Sequence, residues 1–458
     1  MSSVVESGGN ILHSLRPSEI ELSRVPTLER QSDGRVTPAP ASDNGFSLPP
    51  VDGGKEAYLC LVGCFFAEAL VWGFPFSFGV FQEYYSSTEP FASEPSGIAA
   101  IGTTAAGIMY MGSLLIFPLL QRYPQYRRHC NILGLPIMVT AMLLSSFANT
   151  VTQLILTQGL LYGIGGCLCY TPAILFLEEW FVRRKGLAFG VMWAGTGFAG
   201  VTVPFFMQAA LNIWGYKTAL RIWAVVLMVL AGPFTPFLKP RIPVQAVTQR
   251  AGRRIDLRFL GSIIFWIPQF VNIVQGLGYF IPSLYLPQYV TSIGLQPIVG
   301  TVALALFNGA SVLGTILAGH LIDRFHHSTV TAMITLPSVI SVFVFWGFGV
   351  NIPVIIVFSL LYGFSAGGFS TTWTGNVKEV RENIGGDPGV IFGFLAAGRG
   401  IGAIASGPLS AAILEKASSF KGHARWAYGT EYGGLIIFTG CTASVGVVSL
   451  LARRIGWL

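Results

Sequence analysis

Two ionisable side chains stand where such groups are expensive. Arg399 lies ten residues past Gly389, inside an apolar run near 389–413. At ~1.5 Å of rise per residue this is roughly 15 Å, the middle of a ~30 Å hydrocarbon layer. An unpaired Arg at that depth costs at least about 2.5–3.5 kcal/mol, so it must face a wet cavity or a partner. One use is to anchor an anionic substrate, because a guanidinium grips a carboxylate in bidentate fashion. The other is a structural ion pair or a clamp on helix carbonyls. Gly398 and Gly400 on either side leave room for the guanidinium and for another helix. Glu68 lies about eleven residues into the run near 57–81 and is the only acid well inside such a run. It either carries a coupled proton, neutralises Arg399 when no substrate is bound, or is a protonated carboxyl bonded to a neighbouring helix.

Other polar groups in apolar runs are Asn272, Gln275 and Tyr279, then Asn308, then Thr372, Trp373 and Asn376. Gln275, Tyr279, Asn308 and Trp373 are the candidate partners of Arg399 in a substrate site; interhelical hydrogen bonding is the alternative role for each. The run holding Gln275 also carries Gly276, Gly278, Pro282 and Pro287, enough to break a helix.

The elements that position these groups repeat. Leu160-Leu161-Tyr162-Gly163 returns as Leu360-Leu361-Tyr362-Gly363. Phe189-Gly190-x-x-x-Ala194-Gly195-x-Gly197 returns as Phe392-Gly393-x-x-x-Ala397-Gly398-x-Gly400. The two echoes keep their order at almost one offset, as expected of a half-molecule written twice. In this repeat Thr196 occupies the slot of Arg399.

Composition sets the solvent. The chain has 458 residues, 52% hydrophobic and 11% charged, with mean hydropathy +0.62. Soluble domains carry about a quarter charged residues, so most of this chain faces lipid or itself. Spans of about 20 apolar residues fall near 57–81, 96–120, 130–148, 152–177, 187–211 and 219–238, then 259–287, 297–321, 329–350, 352–375, 389–413 and 432–452. With this alternation one face receives Arg122, Arg127, Arg128, Arg183, Arg184, Lys185, the bases of segment 239–258, Arg324, Lys378, Arg381, Arg453 and Arg454. The other receives only Lys217, Arg221, Lys416, Lys421 and Arg425. The positive-inside rule then places both termini in the cytoplasm. The expected fold is an all-α integral membrane protein of two pseudo-symmetric six-helix bundles and about twelve transmembrane helices. A disordered cytoplasmic tail spans 1–55, with no apolar signal segment. The first bundle spans 56–238, a basic cytoplasmic linker 239–258 and the second bundle 259–458.

Several classes are excluded. The net charge of +7 is dispersed among short connections, which argues against nucleic acid. Six cysteines lie in or beside apolar stretches with no C-x-x-C pair, and read as buried thiols rather than metal ligands. The six histidines are expected in tails or loops, and no Walker loop, nucleophile elbow or H-E-x-x-H is present. The chain is expected to be no enzyme and to need no cofactor or metal.

Duplicated six-span halves joined by a basic linker resemble the major facilitator superfamily. Gly319-His320-Leu321-Ile322-Asp323-Arg324 is similar to its G-x-L-x-D-R loop signature, in which Asp323 and Arg324 would pair with helix ends and latch a gate. The equivalent first-half loop has Phe117, Gln121 and Arg122 instead. Asp52-Gly53-Gly54, and the stretch from Trp180 through Gly190 with Arg183 and Arg184, resemble signatures of the monocarboxylate porter family. Glu68 through Tyr84 and Gly398–Gly402 look like its fungal members. Animal members carry a Lys after Phe-Pro in span 1 and an Asp and Arg in span 8, where this chain has Phe76, Asn308 and Val312. The resemblance implies a secondary transporter of a small organic anion, a monocarboxylate, working by alternating access with a proton as candidate coupling ion. Export of a fungal secondary metabolite is the second reading, favoured by the missing lactate-type residues, and a non-transporting membrane sensor the third. Arg183 and Arg184, with Glu178 and Glu179, suit a gate. The plasma membrane is the expected location and the vacuolar membrane the alternative.

Overall fold

The computed structural model describes residues 49–182, 184–243, 256–417, 422 and 425–457. Most of the expected tail, the middle of the linker and Arg183 lie outside them. The described residues are helical throughout, with no strand. In order the α-helices are α1 (Lys55–Phe76), α2 (Phe78–Ser87), α3 (Ile98–Arg122), α4 (Arg127–Ser145), α5 (Val151–Leu154), α6 (Tyr162–Trp180), α7 (Lys185–Ala231), α8 (Ile263–Ser292), α9 (Pro297–Ile322), α10 (His327–Ile340), α11 (Ile352–Gly367), α12 (Thr372–Asn383), α13 (Pro388–Ala417), α14 (Gly433–Ser444) and α15 (Val447–Ile455). π-Helical turns Ile155–Leu161 and Ser341–Trp346 join α5 to α6 and extend α10.

Among the described residues, eleven stretches are long and apolar enough to cross a membrane, against about twelve expected from the sequence. The difference lies in one element. The runs 187–211 and 219–238 form one continuous stretch, Leu187–Phe237, because Lys217 and Arg221 do not open a loop. Arg221 stays helical, donates from Nε to Ser146 Oγ at 3.1 Å and places its guanidinium 5.0 Å from the Phe147 ring. The stretch breaks at Gly215, whose φ of 73° and ψ of 173° leave helical geometry. A positive φ with extended ψ is open essentially to glycine alone.

The echoed phrases do the same job twice. Gly163 of α6 packs against the Ala105 carbonyl of α3, and Gly363 of α11 against the Phe307 backbone of α9. Helix starts repeat too: Thr150 caps Gln153 N and Asn351 caps Val354 N through side-chain oxygens. Tyr162 donates to the Leu70 and Val71 carbonyls at 3.0 and 3.2 Å. The Val71 carbonyl is orphaned because Pro75, four residues on, has no N–H.

Among the described residues, the main helix pairings between the first half of the chain and the second are α3 with α13, α7 with α9, and α2 with α8. The α3–α13 pairing is the most extensive in the molecule. Gly107 meets Gly400 across it. A Cβ on Gly400 would stand 2.7 Å from the Gly107 carbonyl oxygen, and one on Gly107 3.0 Å from that of Gly400. Small residues at such crossings let helices pack where lipid offers no hydrophobic drive. Leu115, Ile213 and Phe198 project apolar surface outward, as lipid-facing residues do.

At the linker face, the Asp52-Gly53-Gly54 signature meets the one that starts at Trp180. Asp52 Oδ1 accepts from the backbone N–H of Val182 and Arg184 at 3.0 and 2.9 Å, and Asp52 N donates to Trp180 O. Asp52→Ala is expected to lower stability by about 1–2 kcal/mol, the loss of a carboxylate cap on two backbone donors. A thermal midpoint in detergent matching wild type would refute that role.

Candidate functional site

A polar stripe on α8 reads the backbone of α13. Gln269, Asn272 and Gln275 recur every three residues and so share a helix face. Gln269 Nε2 donates to Phe394 O at 2.7 Å, and Asn272 Nδ2 to Leu395 O at 2.6 Å. One turn further along, Arg399 Nη1 donates to Gln275 Oε1. Arg399 is 2% exposed. Three rings close around its guanidinium carbon: Tyr279 at 4.2 Å and Phe280 at 5.3 Å from α8, and Phe369 at 5.6 Å from the 3-10 turn after α11. Desolvated cation–π contacts of this kind contribute about 2 kcal/mol or more. No carboxylate pairs with Arg399 among the described residues, and its Nε has no hydrogen-bond partner. The arrangement is a buried cation held by neutral groups with donor capacity left over, which suits an anionic or strongly accepting guest.

Glu68 is equally buried and sits in the matching place. Thr196 Oγ1 of α7 donates to Glu68 Oε1 at 2.9 Å, while Oε2 has no partner. Glu68 stands seven residues before Pro75, and Gln275 seven before Pro282. Thr196 and Arg399 are repeat counterparts. The first half of the chain thus places acid against hydroxyl where the second places amide against base. No ion pair joins Glu68 to Arg399. The two regions are linked by rings instead: Tyr110 of α3 lies 4.9 Å from Trp72, 6.4 Å from Phe280 and 6.2 Å from Trp373.

Of the residues singled out by sequence, Arg399, Gln275 and Tyr279 are together. Trp373 is one step removed, donating to Asn272 Oδ1 at 3.2 Å. Asn308 lies at a different seam, where its amide donates to Gly200 O at 3.0 Å and Phe76 O at 3.2 Å and ties α9 to both α7 and the end of α1. Thr196, Phe280 and Phe369 were not singled out as part of the site. The repeat offset points to Thr196, but no local signal marks the two phenylalanines.

Asp323 and Arg324 are exposed at the end of α9, and no ion pair joins either among the described residues. Arg184 lends its backbone N–H to Asp52, and Arg183 lies outside the described residues. The ionic centre on this face is Glu179. It receives Arg127 Nη1 at 2.5 Å and the backbone N–H groups of Arg241 and Ile242 at 3.0 and 3.3 Å.

The histidine expectation needs correction. His320 is helical, and His327 opens α10 and is buried. His326, His327 and Glu379 bring ligand-type atoms within 4.8 Å of one another, the one such group among the described residues. His326 Nδ1 accepts from Ser328 N at 3.3 Å, so its Nε2 carries the proton and points at Glu379 Oε1, 3.5 Å away. A protonated Nε2 suits donation to a carboxylate better than metal coordination. Burial, then the nearby Arg453, hold His326 below the usual histidine range.

Comparison with known proteins agrees with the helical pattern. A family model described as Major Facilitator Superfamily matches residues 58–407. The chain is 26% identical to the MFS-type transporter pynF of Aspergillus niger, covering 97% of this chain and 98% of that protein. It is 27% identical to the agnestins efflux protein AgnL12 of Paecilomyces divaricatus, over 90% of each. It is 26% identical to the fujikurins efflux protein of Gibberella fujikuroi, over 98% of this chain and 92% of that one. Among solved structures, the nucleoside transporter NupG aligns with TM-score 0.65 at 14% identity, over 88% of this chain and 100% of that chain. A D-xylose–proton symporter aligns with TM-score 0.63 at 14% identity, over 86% and 96%.

Proposed function

This chain belongs to the Major Facilitator Superfamily, and from that premise we propose that it exports a small organic acid of the secondary-metabolite kind by alternating access about Arg399. The observation that carries the anion is the Arg399 guanidinium, buried among Gln275, Tyr279, Phe280 and Phe369 with no carboxylate beside it. The export direction rests on the relatives whose names describe efflux of agnestins and fujikurins. In this reading Gly215 separates two crossings, giving twelve, and two six-helix bundles meet at the α3–α13, α7–α9 and α2–α8 seams. Both termini and the linker lie in the cytoplasm, at the plasma membrane. The monocarboxylate porter family supplies the nearest pattern, with the substrate site rebuilt around α8 and α13.

Glu68 is the proton carrier of this scheme. A buried carboxylate with one unpartnered oxygen is relieved by taking up a proton. Glu68→Gln, which fixes the protonated form, is expected to keep substrate exchange in proteoliposomes and to abolish flux driven by a pH gradient. Unchanged pH-driven flux in this variant removes Glu68 from the coupling.

The function is tested by liposome flux of a carboxylate panel, with and without a pH gradient, beside a deletion strain. Accumulation of an acidic product inside the deleted cells supports export. Faster loss of that product from deleted cells than from their parent refutes it.

A further inference from the structure

A cavity of about 10 Å³ adjoins the Arg399 cage inside the second half of the chain. Gln275 of α8 and Phe369 of the turn after α11 belong to both places, since each lines the cavity and also faces the Arg399 guanidinium. The lining continues with Thr335 and Ser338 of α10 and Ser365 of α11. The volume has room for one water molecule and for no organic group.

Chemistry fixes which way the Gln275 amide faces. Arginine only donates, so the amide presents Oε1 to Arg399 Nη1 and its NH₂ end is left over. That Nε2 has no hydrogen-bond partner among the described residues. Thr335 is buried, and its hydroxyl also has none. The serines differ. Ser338 Oγ lies 2.8 Å from Ile334 O and 2.9 Å from Ser365 Oγ, and Ser365 Oγ donates to Leu361 O at 2.7 Å. Both serine protons are therefore committed, while lone pairs remain on both oxygens. Gln275 and Thr335 thus bring unused donors to this lining, and Ser338 and Ser365 bring unused acceptors. A metal cation is the wrong guest, because it would meet the amide NH₂ with Arg399 at the amide's other end.

We propose that this cavity is a site for one water molecule, which accepts from Gln275 Nε2 and Thr335 Oγ1, donates to Ser338 and Ser365, and holds the Gln275 amide in the orientation that grips Arg399. Buried waters take two to four such partners and are costly to remove. An amide turned the other way would set NH₂ against the guanidinium, donor against donor, and the water opposes that turn. Thr335 is then a positioning residue of the anion site, acting through the water and Gln275 without touching the substrate. The inference rests on the reading of Arg399 as the anion anchor.

Thr335 is the clean probe, because its hydroxyl bonds no other group, whereas both serines also hold helix carbonyls. Thr335→Val keeps the shape and loses the hydroxyl; Thr335→Ser keeps the hydroxyl and loses a methyl. The test is a high-resolution cryo-electron microscopy map of the full-length protein and of each variant, beside benzoate flux in proteoliposomes. Density for one water among Gln275, Ser338 and Ser365 is expected in wild type and Thr335→Ser and is expected to be lost in Thr335→Val. KM for benzoate is expected to rise about fivefold in Thr335→Val at an unchanged maximal rate, the loss of one bond in the chain that orients the amide, and to stay at the wild-type value in Thr335→Ser. A map that shows other buried waters but none here overturns the site. Water that persists in Thr335→Val, an unchanged KM in that variant, or equal rises in both variants overturns the positioning role while the anchor stands. No benzoate flux in wild type, or wild-type benzoate flux through Arg399→Ala, overturns the anchor and the positioning role together.

Discussion

Arg399→Ala is expected to reduce transport of acidic substrates by about two orders of magnitude. Hydrogen bonds to a charged group contribute about 1.5–3 kcal/mol, and every 1.4 kcal/mol is about tenfold in affinity. The substitution also strands Gln275 Oε1, whose partner is Arg399 Nη1. Folding moves the other way. A buried cation without a carboxylate carries a desolvation cost that alanine lacks, so the thermal midpoint in detergent is expected to stay or rise. Loss of function with retained stability separates an anchor from a clamp. Arg399→Lys keeps the charge but loses the planar fork that stacks on Tyr279, and is expected to recover only a minor part of the flux. Wild-type flux of every acid through a folded Arg399→Ala protein would remove the anion from the proposal.

The second large effect is expected at Gly107. Gly107→Val drives side-chain atoms into Ile404 and the Gly400 carbonyl of α13. Overpacking of this kind costs about 1–3 kcal/mol in a well-packed core. Here the cost falls on the most extensive helix pairing among the described residues, between halves that shift against each other in the proposed alternating access. Transport is therefore expected to fall further than stability. Flux near zero from a protein that still elutes as a folded monodisperse species is the expected result. Gly107 is the better probe than Gly400, because Gly400 adjoins Arg399 and confounds packing with binding. Normal flux through Gly107→Val would show that the α3–α13 crossing opens without close backbone approach.

Much of the architecture was legible from the amino-acid sequence, and the repeat explains why. A helix that crosses lipid must be long and apolar, and the Tyr-Gly echo survives because both halves need the same close packing on α3 and α9. The burial of Arg399 was legible from its place inside an apolar run. Its surroundings followed only in part: Gln275 and Tyr279 were among the candidate partners, but no spacing rule links Arg399 to Phe280 of α8 or to Phe369 of the turn after α11. The Gly215 junction was read as a polar loop because Lys217 and Arg221 interrupt the apolar pattern, whereas Arg221 stays helical by capping onto Ser146 and Phe147. For Asn308 the sequence left cavity lining and interhelical hydrogen bonding both open. Its amide holds two backbone carbonyls across a seam, a choice between cavity and helix that composition does not encode. His326 and His327 looked like loop residues because a helix start carries no apolar period.

The imbalance between the matched pairs Glu68–Thr196 and Arg399–Gln275 has an electrical consequence. Arginine keeps its proton at any physiological pH, so the second half of the chain carries a fixed, buried positive charge, which a bound carboxylate would cancel in the proposed cycle. The empty and occupied carriers then differ by one charge inside the membrane. A voltage acts on them unequally, by up to ~2.3 kcal/mol per 100 mV for a charge that traverses the whole field. In the proposed export cycle, an inside-negative potential draws the vacant cation toward the cytoplasmic aspect, where the carrier is reloaded, and leaves the neutralised complex free to turn outward.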